Sequence, residues 1–289
     1  DMPEDKNWQF ELEEYIKEAD PEKAEKIEAW RIAIGLQAVD RLYTSAYLLD
    51  AAKDHIEGEI NIDEVQDHIQ NYYEQRTAFA DIENATKEAD MVSTRIVKFL
   101  GEKAFHFSPE ELITIHRRLF EGIFSHAGQI RQYNITKKEW VLNGDTVTYA
   151  DWNSIEDALD YEFAAEEKFF YNDLPADESV KHLARLASDI WQIHPFGEGN
   201  TRATAVFMIK YMETLGFHIN SAVFGNSSWY SRNALVRANY NNIPKGIYST
   251  TKFLEMFFGN LLLDTDYELK NRYMHIDYVD PYSSRSVSD

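Results

Sequence analysis

The chain reads as mainly α-helical: a large helical domain with one β-hairpin, preceded by a small all-helical module. Three observations predict this. Apolar residues recur at 3.6-residue spacing in one segment after another, most of them opened by a Ser, Asn, Asp or Pro start signal. Residues 128–150 break that rhythm with β-prone residues around Asn143-Gly144-Asp145, a tight-turn signal. At 289 residues and 44% hydrophobic, the chain can bury a sizeable core.

Residues 1–77 predict short, highly charged helices. Pro21 starts one that runs through Ala29, Trp30 and Ala33. Thr44 or Ser45 caps a second through Leu48, Leu49, Ala52 and Ile56, which Gly58 ends. Asn61 caps a third, and Glu64 completes a capping-box pattern before Val65, Ile69 and Tyr73.

Residues 78–268 read as the main domain. Ala89, Ile96, Val97 and Leu100 share a helix face, and Ser108-Pro109 opens the next helix, with Leu112, Ile115, Leu119 and Phe120. The hairpin pairs Trp140-Val141-Leu142 with Thr146-Val147-Thr148-Tyr149. Trp152 to Phe170 is amphipathic and stops at Asn172 to Pro175. Asp177 or Ser179 caps a helix carrying Leu183, Leu186, Ala187 and Ile190. Beyond a short loop, Ala205, Val206, Ile209, Met212 and Leu215 mark another helix, closed by Gly216. Ser227 to Asn239 and Thr250 to Leu263 are the last two. Residues 269–289 form a C-terminal tail, expected to be poorly ordered from Asp277 on.

Fifty acidic residues against 29 Lys plus Arg give a formal charge of −21, which repels nucleic acid and anionic membranes. The absence of cysteine excludes disulfides, thiolate catalysis and Cys-ligated zinc. The nine histidines show no HExxH or comparable metal spacing. No apolar run is long enough to span a bilayer, and no secretory signal is present, so the expected compartment is the cytoplasm. The pattern is compatible with a homo-oligomer and does not require one.

The short loop between the two helices is the most informative stretch. Ile193 to Ala205 reads IHPFGEGNTRATA. Glycines let backbone approach a ligand closely, and a new helix offers unpaired amides and its positive dipole end to an anion. An interhelical turn needs none of this concentration of His, acid, Gly, Asn and Arg. It is a nucleotide site in outline.

His194-Pro195-Phe196-Gly197-Glu198-Gly199-Asn200-Thr201-Arg202 resembles the signature of Fic-domain proteins, HxFx(D/E)GNGRxxR, with Thr201 at the second glycine and Ala205 at the second arginine. The resemblance covers about residues 30–265. It implies a Fic-fold helical domain with a hairpin flap, using ATP and Mg²⁺ to transfer AMP to a Ser, Thr or Tyr hydroxyl of a target protein. The chemistry assigns matching roles. Nucleotidyl transfer needs a base at the hydroxyl, a cation on the phosphates and fixed donors at the α-phosphate. His194 suits the base, and Glu198 is a hard oxygen ligand for Mg²⁺. The amides of Gly199, Asn200 and Thr201 make an anion cradle, and Arg202 offers a fork to the β-phosphate.

The resemblance also implies that the target protein docks on the hairpin at about Thr136 to Trp140, with Lys137 or Lys138 toward the nucleotide. Asn239 falls where the family touches the base, and Arg232 where some members have an aromatic contact. Residues 32–73 look like the antitoxin-type module of many bacterial Fic domains, whose inhibitory (S/T)xxxE(G/N) glutamate pairs with the second arginine. Here Leu36, Asp40 and Arg41 fall at those motif positions, and Ala205 replaces the arginine. The module is therefore expected to pack on the catalytic domain without the usual salt-bridge lock. Two other readings stay open. One is phosphate transfer with the nucleotide reversed, since Thr201 is neither Gly nor Lys. The other is a nucleotide-sensing module, to which Ala205, Thr201 and Gly197 point.

Overall fold

A computed structural model describes residues 20–76 and 81–281. Among them are ten α-helices and no strand. The described residues divide into two compact units: one runs to Gln129 and includes Glu198–Ser228, and the other comprises Ile130–Gly197 and the residues from Trp229 onward.

In the first unit, α1 (Pro21–Leu36) begins at Asp20, whose carboxylate accepts from the Lys23 amide. A 3-10 turn, Gln37–Asp40, follows and ends at Arg41 in the left-handed region. α2 (Ala46–Glu57) is capped by Ser45 and stopped by Gly58, while α3 (Ile62–Glu74) carries the full Asn61/Glu64 capping box. Both α1 and α3 pack on α4 (Asp81–Gly101). Buried Asp90 of α4 ties the arrangement together, accepting from the Ser45 amide and hydroxyl and from the Tyr73 hydroxyl.

α5 (Pro109–Phe120) packs on α8 (Asn200–Thr214). Apolar side chains all round α8 let it sit inside the unit, where Val206, Phe207, Ile209 and Met212 are almost fully covered. Gly35 lets α1 come close to Phe224: a Cβ there would lie 2.4 Å from the Phe224 carbonyl oxygen. Phe224 belongs to α9 (Ser221–Ala238), which kinks at Ser227. The sequence pattern starts this helix only at Ser227, because the kink interrupts the apolar period.

In the second unit, α6 (Ile155–Glu167) and α10 (Lys252–Leu263) pack on α7 (Ala176–Ile193). α7 starts after Pro175, ahead of Asp177 and Ser179. Asp177 and Glu178 instead occupy its first turn, where negative charge suits the dipole. The chain reverses at Asn143 and Gly144, both with positive φ, and the Glu139 amide donates to the Asp145 carbonyl at 3.1 Å. The expected hairpin ladder is not formed. Trp140–Leu142 coils into a 3-10 turn, and the Lys137 amide is taken by the Thr146 hydroxyl, 3.0 Å away, in place of a backbone carbonyl.

α1, α3 and α4 all belong to the first compact unit. Part of the expected tail is tied down: the Ile276 amide donates to the Val141 carbonyl, and Asn143 bonds Asp277. Residues 282–289 lie outside the described residues. No described helix is long and apolar enough to cross a membrane.

Candidate active site

The signature is one continuous run, but His194 to Gly197 belong to the second unit and Glu198 to Arg202 to the first.

His194 ends α7 with left-handed backbone, φ 51°. Its ring is buried, stacks on Tyr149 at 4.0 Å and meets the edge of Trp191. Nδ1 lies 2.9 Å from the Trp191 carbonyl oxygen. A carbonyl only accepts, so Nδ1 carries the proton and Nε2 keeps its lone pair. Burial holds the His194 pKa well below the usual value, opposed by the Trp191 bond and assisted by the charges of Arg232, Lys137 and Arg131. A neutral imidazole with a basic Nε2 is what a proton acceptor requires.

Arg131 holds this end of α7 in place. Its buried guanidinium donates to the carbonyls of His194 at 2.7 Å, Ile193 at 3.1 Å, Tyr133 at 2.8 Å and Ala150 at 2.6 Å, and its amide donates to Pro195. These bonds satisfy orphan C-terminal carbonyls and tether the 130–150 segment to the motif. Lys137 reaches the Gly197 carbonyl at 2.9 Å. Of the two candidate lysines, Lys137 therefore meets the motif, while Lys138 is exposed. Arg232 is ion-paired with buried Glu139 at 2.9 Å. Asn239 donates to the Ser188 hydroxyl and the Leu235 carbonyl, both at 2.9 Å.

In the first unit, fully buried His116 on α5 fixes the other half of the loop. Its Nε2 donates to the Glu198 carbonyl at 2.7 Å, while its Nδ1 accepts from the Gly128 amide at 2.9 Å. Both nitrogens are used in one neutral tautomer. Burial pushes the His116 pKa down to about 4. Gly199 precedes α8 at φ +80°, and a Cβ there would fall 2.5 Å from the Phe120 ring. Only glycine fits both conditions. With glycine at the cap, the cap residue itself supplies no side-chain bond to the first-turn amides of α8.

Asn200, Thr201 and Arg202 are all buried at the start of α8. Arg202 is the best-anchored residue of the motif. Its Nη1 donates to Gln37 at 3.0 Å, its Nη2 to Glu88 at 2.9 Å, and its Nε lies 2.8 Å from Asp40. The Nε contact is off the hydrogen-bonding direction and acts as an ion pair. The guanidinium also lies over the Phe120 ring. The expectation that Asp40 has lost its arginine therefore needs correction. With Ala205 in place of the second arginine, the carboxylate meets the first, and Arg202 points its fork at the helical module. The sequence pattern concealed this because Gln37 and Asp40 lie on a 3-10 turn, which presents them at a different angle from an α-helix.

Glu198 is exposed. Among the described residues no group of three or more His, Asp or Glu could hold a metal ion. One carboxylate suits Mg²⁺ held mainly by substrate phosphates, and not a cation caged by protein alone. Sequence reasoning missed Arg131, Tyr149, His116, Gln37 and Glu88. They are ordinary residue types at no fixed spacing from the motif, so no local signal marks them.

Residues 106–212 match the Fic/DOC family model. The chain is 25% identical over 147 residues to the protein adenylyltransferase VbhT of Bartonella schoenbuchensis, covering 46% of this chain and 29% of that protein. It is also 25% identical over 122 residues to the probable protein adenylyltransferase Fic of Escherichia coli K12, covering 42% of this chain and 58% of that one. The chain thus spans less than two thirds of either relative. Among solved structures, it resembles the BepC protein of Bartonella tribocorum with bound AMPPNP, at 21% identity and TM-score 0.50, over 66% of this chain and 96% of that one. This last likeness concerns the fold.

Proposed function

Starting from the Fic/DOC domain that the chain carries at residues 106–212, we propose that it is a protein adenylyltransferase, moving AMP from ATP to a Ser, Thr or Tyr hydroxyl of a protein. The observation that carries this reading is the state of His194: neutral, with Nδ1–H spent on Trp191 and Nε2 left as the acceptor. Its relatives named as adenylyltransferases support the same class of transfer.

In the reaction, His194 Nε2 takes the hydroxyl proton as the oxygen bonds to the α-phosphorus. The bond from that phosphorus to the oxygen bridging toward the β-phosphate breaks, and pyrophosphate leaves. The amides at the start of α8 offset charge developing on the α-phosphate. Glu198, with phosphate oxygens, would hold Mg²⁺, which neutralises phosphate charge when bound. Lys137 holds the loop carbonyl of Gly197 by a hydrogen bond at 2.9 Å. A target segment would dock along Thr136 to Trp140 through main-chain bonds.

A second reading, nucleotide sensing without transfer, draws support from the commitment of Arg202 to Gln37, Asp40 and Glu88. Labelling with α-phosphate-labelled ATP and Mg²⁺ separates the two. Transfer predicts α-label on protein, lost by about a hundredfold or more in His194→Ala. Transfer of γ-label alone would indicate phosphate transfer. Nucleotide binding with neither label transferred would leave the sensor.

A further inference from the structure

A cavity of about 750 Å³ lies within the first unit, away from the signature, where α1, α2 and the end of α4 face the residues that follow α8. Its size falls in the range of about 300–1,000 Å³ typical of small-molecule sites. Ala29, Ile32, Val97, Leu100, Phe217 and Ile219 supply an apolar lining.

One polar side chain in that lining has an unused group. His55 is 93% covered, being 7% exposed, and its Nδ1 accepts from the Trp30 indole N–H at 3.0 Å. A neutral imidazole that accepts at Nδ1 carries its proton on Nε2. That Nε2–H makes no hydrogen bond among the described residues and is not sealed from solvent, so it stays available on the side chain that lines the cavity. Burial and the charge of Lys26 lower the His55 pKa to about 4, so the ring stays neutral.

The rim charges are unevenly spent. Lys26 donates to the His55 carbonyl, Lys98 pairs with Asp63, Glu102 with Arg118, and Glu28 stands 3.5 Å from His218. Glu25 and Glu213 line the same cavity from α1 and α8 and enter no hydrogen bond or ion pair among the described residues; burial raises the Glu213 carboxyl, Lys210 and His218 opposing the shift and Glu25 and Glu28 adding to it.

We infer that this cavity binds a small organic cation with an apolar body, its ammonium or amidinium head toward Glu25 and Glu213 and an oxygen acceptor toward His55 Nε2–H. Apolar area drives entry, the rim carboxylates choose the sign of charge, and the His55 donor orients the ligand. Such a ligand touches both α1 and the far end of the helix that opens with the signature.

The test needs no nucleotide, so it stands or falls independently of the transfer reaction. The full chain is titrated with 3-phenylpropylammonium, with neutral 3-phenylpropanol and with anionic 4-phenylbutanoate, following the His55 ring resonance by NMR. The ammonium should shift that resonance saturably and bind at least about threefold more tightly than the alcohol, with the anion weakest. Glu25→Gln combined with Glu213→Gln should raise the ammonium Kd about three- to tenfold while leaving the alcohol unchanged. Both substitutions lie at the exposed rim and should not perturb folding, which circular dichroism verifies. Equal binding of the three probes, an unchanged Kd in the double variant, a silent His55 resonance or no binding at all would each overturn the proposal.

Discussion

The Nε of Arg202, in the first turn of the signature helix, lies 2.8 Å from Oδ2 of Asp40, at the end of the turn that follows α1. The arginine is 98% buried, being 2% exposed, and Gln37 and Glu88 complete its coordination. A buried guanidinium left short of one partner retains most of its desolvation cost, so the ion pair couples the helical module to the signature. Asp40→Asn should lower stability by about 1–3 kcal/mol, read by thermal unfolding. If Arg202 serves the β-phosphate, the same variant should label faster with α-labelled ATP. Unchanged labelling together with lost stability would make the contact purely structural.

The depressed pKa of His194 has a kinetic consequence. Its basic form persists as pH falls, so labelling should not show the decline near pH 6.5 expected of an unperturbed imidazole. A pH–rate profile that drops through 6.5 would contradict a buried, neutral base.

His116 makes stability depend on pH. Its pKa is about 4 in the folded chain against a usual 6.5, so below 6.5 the unfolded chain takes up a proton that the native chain refuses. Stability is thus lost as pH falls from 6.5 toward 4, by up to about 3 kcal/mol for this group. Asp90 works the other way: its carboxyl, raised by burial to about 6, holds a proton in the native state across part of the same window. The informative quantity is therefore the difference between wild type and His116→Gln. Urea unfolding at pH 7 and pH 5 should show a shallower acid loss in the variant.

Gly199→Ala should destabilise the first unit by about 1–3 kcal/mol, from the positive φ and the collision with Phe120. Adding Phe120→Leu removes the collision and leaves the φ cost, so it should recover only part of the loss. Thermal melts of the single and double variants decide it.

Arg131→Lys should weaken both the fold and labelling. A lysine brings three donors where the guanidinium reaches four carbonyls from a rigid fork. A loss of about 2–4 kcal/mol follows from stranding buried carbonyls, measurable by chemical denaturation. Labelling should fall as the end of α7 loosens around His194.

Much of the local structure was legible in the sequence. Ser45, Asn61 and Ser108 cap helices because their short polar side chains reach an amide three residues on, an interaction contained within four residues. The α7–loop–α8 arrangement and the positions of His194, Glu198 and Gly199 followed from adjacent residues for the same reason. The hairpin was misjudged locally: Asn143-Gly144 does turn, but Thr146 spends its hydroxyl on the Lys137 amide that a ladder would have used.

By itself, the sequence determined which residues form most of the helices and where those helices stop, and it singled out one short run as the candidate site. All of these depend on contacts between residues a few positions apart. Only the tertiary structure decided how those groups are employed. It placed Asp40, 162 positions before Arg202, on the arginine the sequence had offered to phosphate, and it brought Arg131 to the His194 carbonyl across a separation of 63 residues. The physical reason is that a buried charge or carbonyl takes whichever partner packing delivers, and chain spacing does not encode that partner.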